Sequence, residues 1–190
     1  MTKSIKNRGY ISLILLSAVF VVGIAVGVIL TAQYTDIDDK PVYFDYYRYF
    51  HSKDFLTNLI DRFSLTFFSL LLIFFLGFGS ISTPFLPISL LFYGYKTGAS
   101  LILIYMTYPA DEIFGVLITE IPFAVLSGLI LITACRESMR MSVSIWRVTI
   151  AASSIYTPVD YKLFINKFII LTAALLAVSA INTTFSYIII

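Results

Sequence analysis

The sequence predicts an all-α membrane protein that crosses the bilayer five times. Of its 190 residues, 59% are hydrophobic and only 13% are charged, and the mean hydropathy is +0.92. A water-soluble domain needs a polar surface, which this composition does not supply. Apolar runs of about 18 residues or more are typical of transmembrane helices. We therefore expect a polytopic helical bundle without a second sizeable soluble domain.

Five apolar stretches define the predicted spans. Each is close to the ~20 residues that cross ~30 Å of hydrocarbon at ~1.5 Å per residue. The first follows a basic N-terminus, and its length predicts an uncleaved anchor rather than a signal peptide. We expect residues 1–62 to form this anchor with an outer segment, and residues 63–190 to form a four-span core. The predicted spans are residues 10–32, 63–82, 85–106, 113–135 and 167–189.

The distribution of lysine and arginine predicts the orientation. Three basic residues precede the first span and five lie within residues 136–167. By contrast, the charged residues of the turn at residues 107–112 are both acidic. The positive-inside rule then makes the N-terminus and the basic segment 136–166 cytoplasmic and leaves the C-terminus outside. Residues 79–89 carry no charge, so they could form a tight cytoplasmic hairpin or a re-entrant bend shielded by protein.

The segment between the first two spans is rich in aspartate and tyrosine. Its stretch YTDIDDK lacks the glycine turn and terminal glutamate of an EF-hand, so we expect a solvated acidic turn. From Ser52, a candidate N-cap, apolar residues recur at helical spacing through Phe63. They predict a short interfacial helix leading into the second span, and we expect His51 to be an interface residue.

The basic segment begins with a predicted helix whose apolar stripe is bordered by arginines. Such arginines can snorkel to anionic headgroups of the cytoplasmic leaflet. A partner's helix could use the same surface, and the sequence does not decide between the two. The residues of this predicted lipid or partner face are Arg136, Arg140, Arg147 and Trp146.

Two ionisable residues lie deep inside predicted spans, where a charge is costly and usually faces protein or a water cavity. Lys96 is near the middle of the third span, and Glu120 precedes Pro122 in the fourth. Their depths from the outer helix ends are ~15 Å and ~10 Å at 1.5 Å per residue, a difference that the two side chains can bridge. We predict an ion pair; the alternatives are a lysine that snorkels alone and a protonated glutamate. Pro122 should kink its helix, because it removes the donor for the Ile118 carbonyl.

Two glycine pairs predict close approach of helices. Gly23 and Gly27 are four residues apart, as are Gly94 and Gly98, so each pair presents a smooth face. We expect these faces to serve tight internal packing or oligomerisation. At about 100° per residue, Lys96 projects to the opposite side of its helix from Gly94 and Gly98.

No catalytic, cofactor-binding or metal-binding arrangement is recognisable in the sequence. It contains no Ser/His/Asp or Cys/His arrangement, no HExxH motif and no P-loop. The single cysteine, Cys135, rules out an internal disulfide. Nothing resembles a nucleic-acid-binding surface, and the net charge is only +2. We expect a protein that is not an enzyme.

The third and fourth spans resemble the stage II sporulation protein M family. The resemblance runs from LGFGSISTPFLPISLLFYGYKTGASL through ITEIPFAVLSGLILITACRESMRMS. It rests on a proline-bearing turn, a glycine-aromatic-x-x-glycine step and a Glu-x-Pro in the next helix. The outer segment rich in Tyr and Asp has no counterpart in it. The matching positions are Pro84, Pro87, Gly94, Gly98, Glu120 and Pro122.

This resemblance implies a multi-pass scaffold of the bacterial cell membrane that performs no chemistry itself. In spore formers such a protein works with the stage II sporulation proteins D and P, which cut peptidoglycan during engulfment. Other members of the wider family are linked to transport operons. The expected partners are thus the lipid bilayer and cell-wall hydrolases, and the glycine faces also allow a homo-oligomer. The alternative is a small transporter or channel subunit in which Lys96, Glu120 and Pro122 line a substrate or proton path.

Overall fold

Five long helices make up nearly all of the computed structural model, which describes residues 2–34, 54–107, 113–149 and 160–189. Each helix contains a stretch that is long and apolar enough to cross a membrane. The predicted fold class, a five-span helical membrane bundle, is confirmed. The helices are α1 (Thr2–Tyr34), α2 (Phe55–Gly77), α3 (Phe85–Thr107), α4 (Ile113–Thr149) and α5 (Tyr161–Ile189).

Helix α2 begins earlier and ends earlier than the predicted second span. It runs without interruption from Phe55 to Gly77, with Asp54 at its N-cap position. The predicted interfacial helix is therefore the first part of α2 rather than a separate element. The physical reason is that helical spacing of apolar residues continues across the polar stretch at residues 61–62, so nothing there stops the helix. Ser52 and His51 lie outside the described residues.

Helix α4 is much longer than a membrane span. Its 37 residues extend for ~55 Å at 1.5 Å per residue, compared with ~30 Å of hydrocarbon. The predicted fourth span and the start of the basic segment are therefore one continuous helix, which also runs through Pro122. Helix α5 begins at Tyr161, before its predicted start at residue 167. The Asp160 carboxylate caps this earlier start by accepting a hydrogen bond from the Leu163 backbone amide (3.0 Å).

Residues 78–84 form the turn between α2 and α3, and hydroxyl groups hold this turn against α4. The Ser142 hydroxyl donates to the Gly79 carbonyl (2.6 Å), and Thr83 and Ser142 share a hydrogen bond of 2.9 Å. The Ser82 hydroxyl also donates to the Gly79 carbonyl (2.7 Å). Both flanking helices are 23 residues long, ~35 Å at 1.5 Å per residue, so each suffices for a complete span. The region is a short turn between two complete helices, and its depth relative to the membrane stays a prediction.

Helix α4 is the centre of the bundle and contacts the other four helices. Helix α1 packs along α3 and also touches α4, whereas α2 and α5 pack on each other and on α4. Cys135 is fully buried and acts as a small apolar core residue. At the level of the turn, the Phe74 and Phe164 rings stack with centroids 5.5 Å apart. The fully buried large apolar side chains are Leu16, Leu70, Ile73, Leu86, Leu90, Ile104, Leu131 and Leu175.

Candidate functional site

A buried ion pair between α2 and α4 is the main polar feature of the bundle interior. Arg62 Nη1 lies 2.5 Å from Glu120 Oε1, and the two side chains are only 8% and 13% exposed. Arg62 shares one buried face of α2 with Asn58 and Thr66, since the three residues are spaced four apart. Buried charges in a membrane protein are normally paired in this way, because an isolated one is costly.

The remaining donors of Arg62 bond to Asn58 on the same helix and to two residues of α5. Its Nε donates to Asn58 Oδ1 (2.9 Å), and its Nη2 donates to Ser186 Oγ (3.4 Å). In the amide orientation that satisfies both of its polar atoms, Asn182 accepts from Arg62 and donates to the Thr119 carbonyl (2.8 Å). We call the set Asn58, Arg62, Glu120, Asn182 and Ser186 the Arg62 network.

The Arg62 network lies at one end of the bundle. Arg62, Glu120 and Asn182 are each seven residues from the near end of their helices, or ~10 Å at 1.5 Å per residue. The turn at residues 78–84 and the residues 136–149 lie at the opposite end, because α2 and α4 run there from the network. Three helices are thus fixed to one another at a common depth.

The predicted ion pair between Lys96 and Glu120 is not formed. The partner of Glu120 is Arg62, and Lys96 makes no ion pair with any residue in the described ranges. The prediction failed because hydropathy placed Arg62 in the outer segment, just before the predicted start of the second span. The spacing of Asn58, Arg62 and Thr66 was the signal that could have placed Arg62 on a buried helix face.

A second polar contact crosses the bundle between the Arg62 network and the turn. The buried Tyr93 hydroxyl donates to Ser127 Oγ (3.0 Å) and lies 3.4 Å from Thr66 Oγ1. The Ser127 hydroxyl in turn donates to the Phe123 carbonyl (2.7 Å). This contact joins α2, α3 and α4, and no sequence pattern indicated it.

The two glycine pairs pack against each other, so they serve internal packing. A Cβ atom added at Gly23 would lie 3.1 Å from the Gly94 Cα, and one added at Gly94 would lie 3.2 Å from the Gly23 Cα. Gly27 faces the Tyr95 carbonyl, and Gly98 likewise faces the α1 backbone. The two backbones are therefore in direct contact, which only residues without a Cβ allow.

The prolines occupy different environments. Pro84 lies at the end of the turn, and Pro87 lies in the first turn of α3, where a missing N–H leaves no helical hydrogen bond broken. Pro122 lies in the interior of α4, two residues after Glu120, and its ring is exposed on the bundle surface.

The predicted lipid or partner face does not form a single site. Arg140, Arg147 and Trp146 are exposed, whereas Arg136 is half-buried. Trp146 lines a shallow groove between α4 and the turn. The carboxylate that organises this end is Glu137, which accepts from Lys167 (2.5 Å) and from Arg140 (3.4 Å).

No group of three His, Cys, Asp or Glu side chains that could hold a metal ion occurs within the described ranges. Comparison of the chain with protein-family models, with curated proteins and with solved structures gives no match. The fold defines a multi-pass helical membrane protein. Its resemblance to the stage II sporulation protein M family stays a prediction from the sequence.

Proposed function

We propose that this protein is a non-enzymatic membrane scaffold that positions partner proteins at the membrane. The Arg62 network carries the proposal, because Arg62 and Glu120 neutralise each other and the network bonds three helices together. A well-satisfied buried network makes a structure rigid, since any rearrangement would leave a charge unpaired in a low dielectric. Such a bundle suits a fixed framework better than a carrier whose charges must contact a substrate.

The sequence resemblance supplies the partner class. Pro84, Pro87, Gly94, Gly98 and the Glu120–Pro122 step resemble the stage II sporulation protein M family. We propose bacterial cell-wall hydrolases, akin to the stage II sporulation proteins D and P, as the partners. The basic residues near the turn favour a cytoplasmic position for that end. The Arg62 network would then face the outer side, where peptidoglycan lies.

Gene deletion in the source organism tests this function. We expect hydrolases tagged with a fluorescent protein to lose their position at the septum, and septal wall thinning and engulfment to be delayed. The wild-type gene should restore both. Normal hydrolase positions together with normal wall thinning in the deletion strain would disprove the scaffold function.

Two observations favour the alternative of a transporter or channel subunit. The polar side chains continue from the Arg62 network into the bundle centre through Thr66, Tyr93 and Ser127. In addition, the buried Ser179 hydroxyl makes no hydrogen bond within the described part of the chain. Ion or proton flux in proteoliposomes that disappears with Glu120→Gln or Lys96→Ala would support transport. Equal flux with and without the protein would exclude it.

A further inference from the structure

Lys96 lies at the middle of α3, far from both helix ends. It is the central residue of α3, eleven residues from Phe85 and eleven from Thr107, or ~16 Å from either end at 1.5 Å per residue. The four-carbon stem of a lysine covers less than half of that distance, so the Lys96 ammonium group does not reach the level of either helix end. The side chain is half-buried and therefore keeps contact with the surface of the bundle.

The described residues of the chain supply no free carboxylate at this depth. Of the five described acidic residues, Glu120 is bound to Arg62 and Glu137 to Lys167 and Arg140. Asp54 and Asp61 lie at the start of α2, and Asp160 precedes α5. The other acidic residues of the sequence fall within residues 36–45 and 111–112, between the apolar spans. The described residues of a second copy therefore offer no free carboxylate at mid-span either.

The surface beside Lys96 is open. Gly94 and Gly98 are covered by α1, so α1 occupies the other side of α3. Phe92, one turn before Lys96, is 68% exposed, and Ile88, one turn earlier, is 60% exposed. A helix from another protein can pack along this surface, which we call the Lys96 face: Ile88, Phe92 and Lys96.

We propose that Lys96 forms an ion pair at the middle of the bilayer with an aspartate or glutamate on a membrane-spanning helix of a different protein. The inference rests on the proposed scaffold function and names the chemistry of its partner. A charge at the bilayer centre is costly when alone, and opposite charges attract strongly in a low dielectric. The partner is thus expected to carry one carboxylate near the middle of an otherwise apolar span.

Photo-crosslinking in native membranes tests this pairing. A benzophenone amino acid replaces Phe92 in the full chain, and Lys96→Met, Lys96→Arg and the exposed control Lys162→Met are compared in that background. We expect crosslinking to a membrane protein that has a mid-span Asp or Glu. The yield should fall at least tenfold with Lys96→Met, stay near wild type with Lys162→Met and recover in part with Lys96→Arg. Exchanging the charges, with Lys96→Glu and a lysine in the partner, should restore the yield.

Three results would overturn the proposal: crosslinks to lipid alone, a crosslinked protein without a mid-span carboxylate, or a yield that Lys96→Met leaves unchanged. Thermal stability of the Lys96→Met variant in detergent should match wild type, which separates lost pairing from misfolding. A failure of the scaffold function has a different signature. In that case hydrolase positions survive gene deletion although the Lys96-dependent crosslink persists. Hydrolases that need the gene, together with a crosslinking yield that Lys96→Met leaves unchanged, would instead refute only the lysine pairing.

Discussion

Replacing Arg62 by methionine should destabilise the bundle strongly, because the substitution leaves Glu120 buried without its counter-ion. Arg62 and Glu120 are 8% and 13% exposed, so solvent does little to screen either charge. Removing one partner of a buried pair costs about 3–5 kcal/mol. The same change also removes the hydrogen-bond donors for Asn58 and Ser186.

Thermal unfolding of the purified protein in detergent measures this loss. For a chain of this size, ~2–4 °C per kcal/mol converts the expected loss into a fall in Tm of roughly 6–20 °C. The double variant Arg62→Met with Glu120→Gln should regain most of the stability, because it leaves no buried charge uncompensated. Asn182 can still bond to the Thr119 carbonyl in that variant.

The matched control is Arg140→Met, because the Arg140 side chain is 66% exposed and its contact with Glu137 is 3.4 Å long. An exposed pair of this kind contributes about 0–1 kcal/mol. A loss of stability with Arg62→Met no larger than that with Arg140→Met would show that the buried Arg62–Glu120 pair does not stabilise the bundle. The same conclusion would follow if the double variant were less stable than either single variant, since the two charges would then not be coupled.

Three further substitutions test the contacts between helices. Gly27→Leu should separate α1 from α3, because its Cβ would overlap the α3 backbone; we expect about 1–3 kcal/mol of lost stability, measured by thermal unfolding. Ser142→Ala should loosen residues 78–84 and cost about 0.5–1.5 kcal/mol, because the Gly79 carbonyl loses one of its two hydroxyl donors, and hydrogen exchange of the turn amides should accelerate. Tyr93→Phe removes the hydrogen bond to Ser127 and should cost about 0.5–1.5 kcal/mol in the same unfolding assay.

Each of these substitutions has a control at a surface position. Ala173→Leu places a leucine on the exposed side of α5, and Tyr105→Phe removes a hydroxyl that is on an exposed ring. Ser144→Ala deletes a hydroxyl that donates to the Arg140 carbonyl of its own helix. Equal effects at the test and control positions would contradict the assigned contacts.

The glycine spacing predicts close helix packing but not the packing partner. Glycines four residues apart predict a smooth helix face, because the spacing puts both on one side. The spacing does not predict which helix packs against that face. Only the packed bundle shows that Gly23 and Gly27 meet Gly94 and Gly98, and that the contact is internal.

The charged residues show the same limit more sharply. Hydropathy along the sequence is sufficient to predict five spans with Lys96 and Glu120 inside them, because hydropathy is a sum over neighbouring residues. The partner of Glu120 depends instead on how α2 packs against α4. Arg62 lies on a polar stretch that hydropathy assigns to a loop, yet the hydrogen-bonded backbone of α2 continues through it and turns it toward α4. An ion pair depends on which helix faces meet and at what depth, and that arrangement comes from packing the whole bundle.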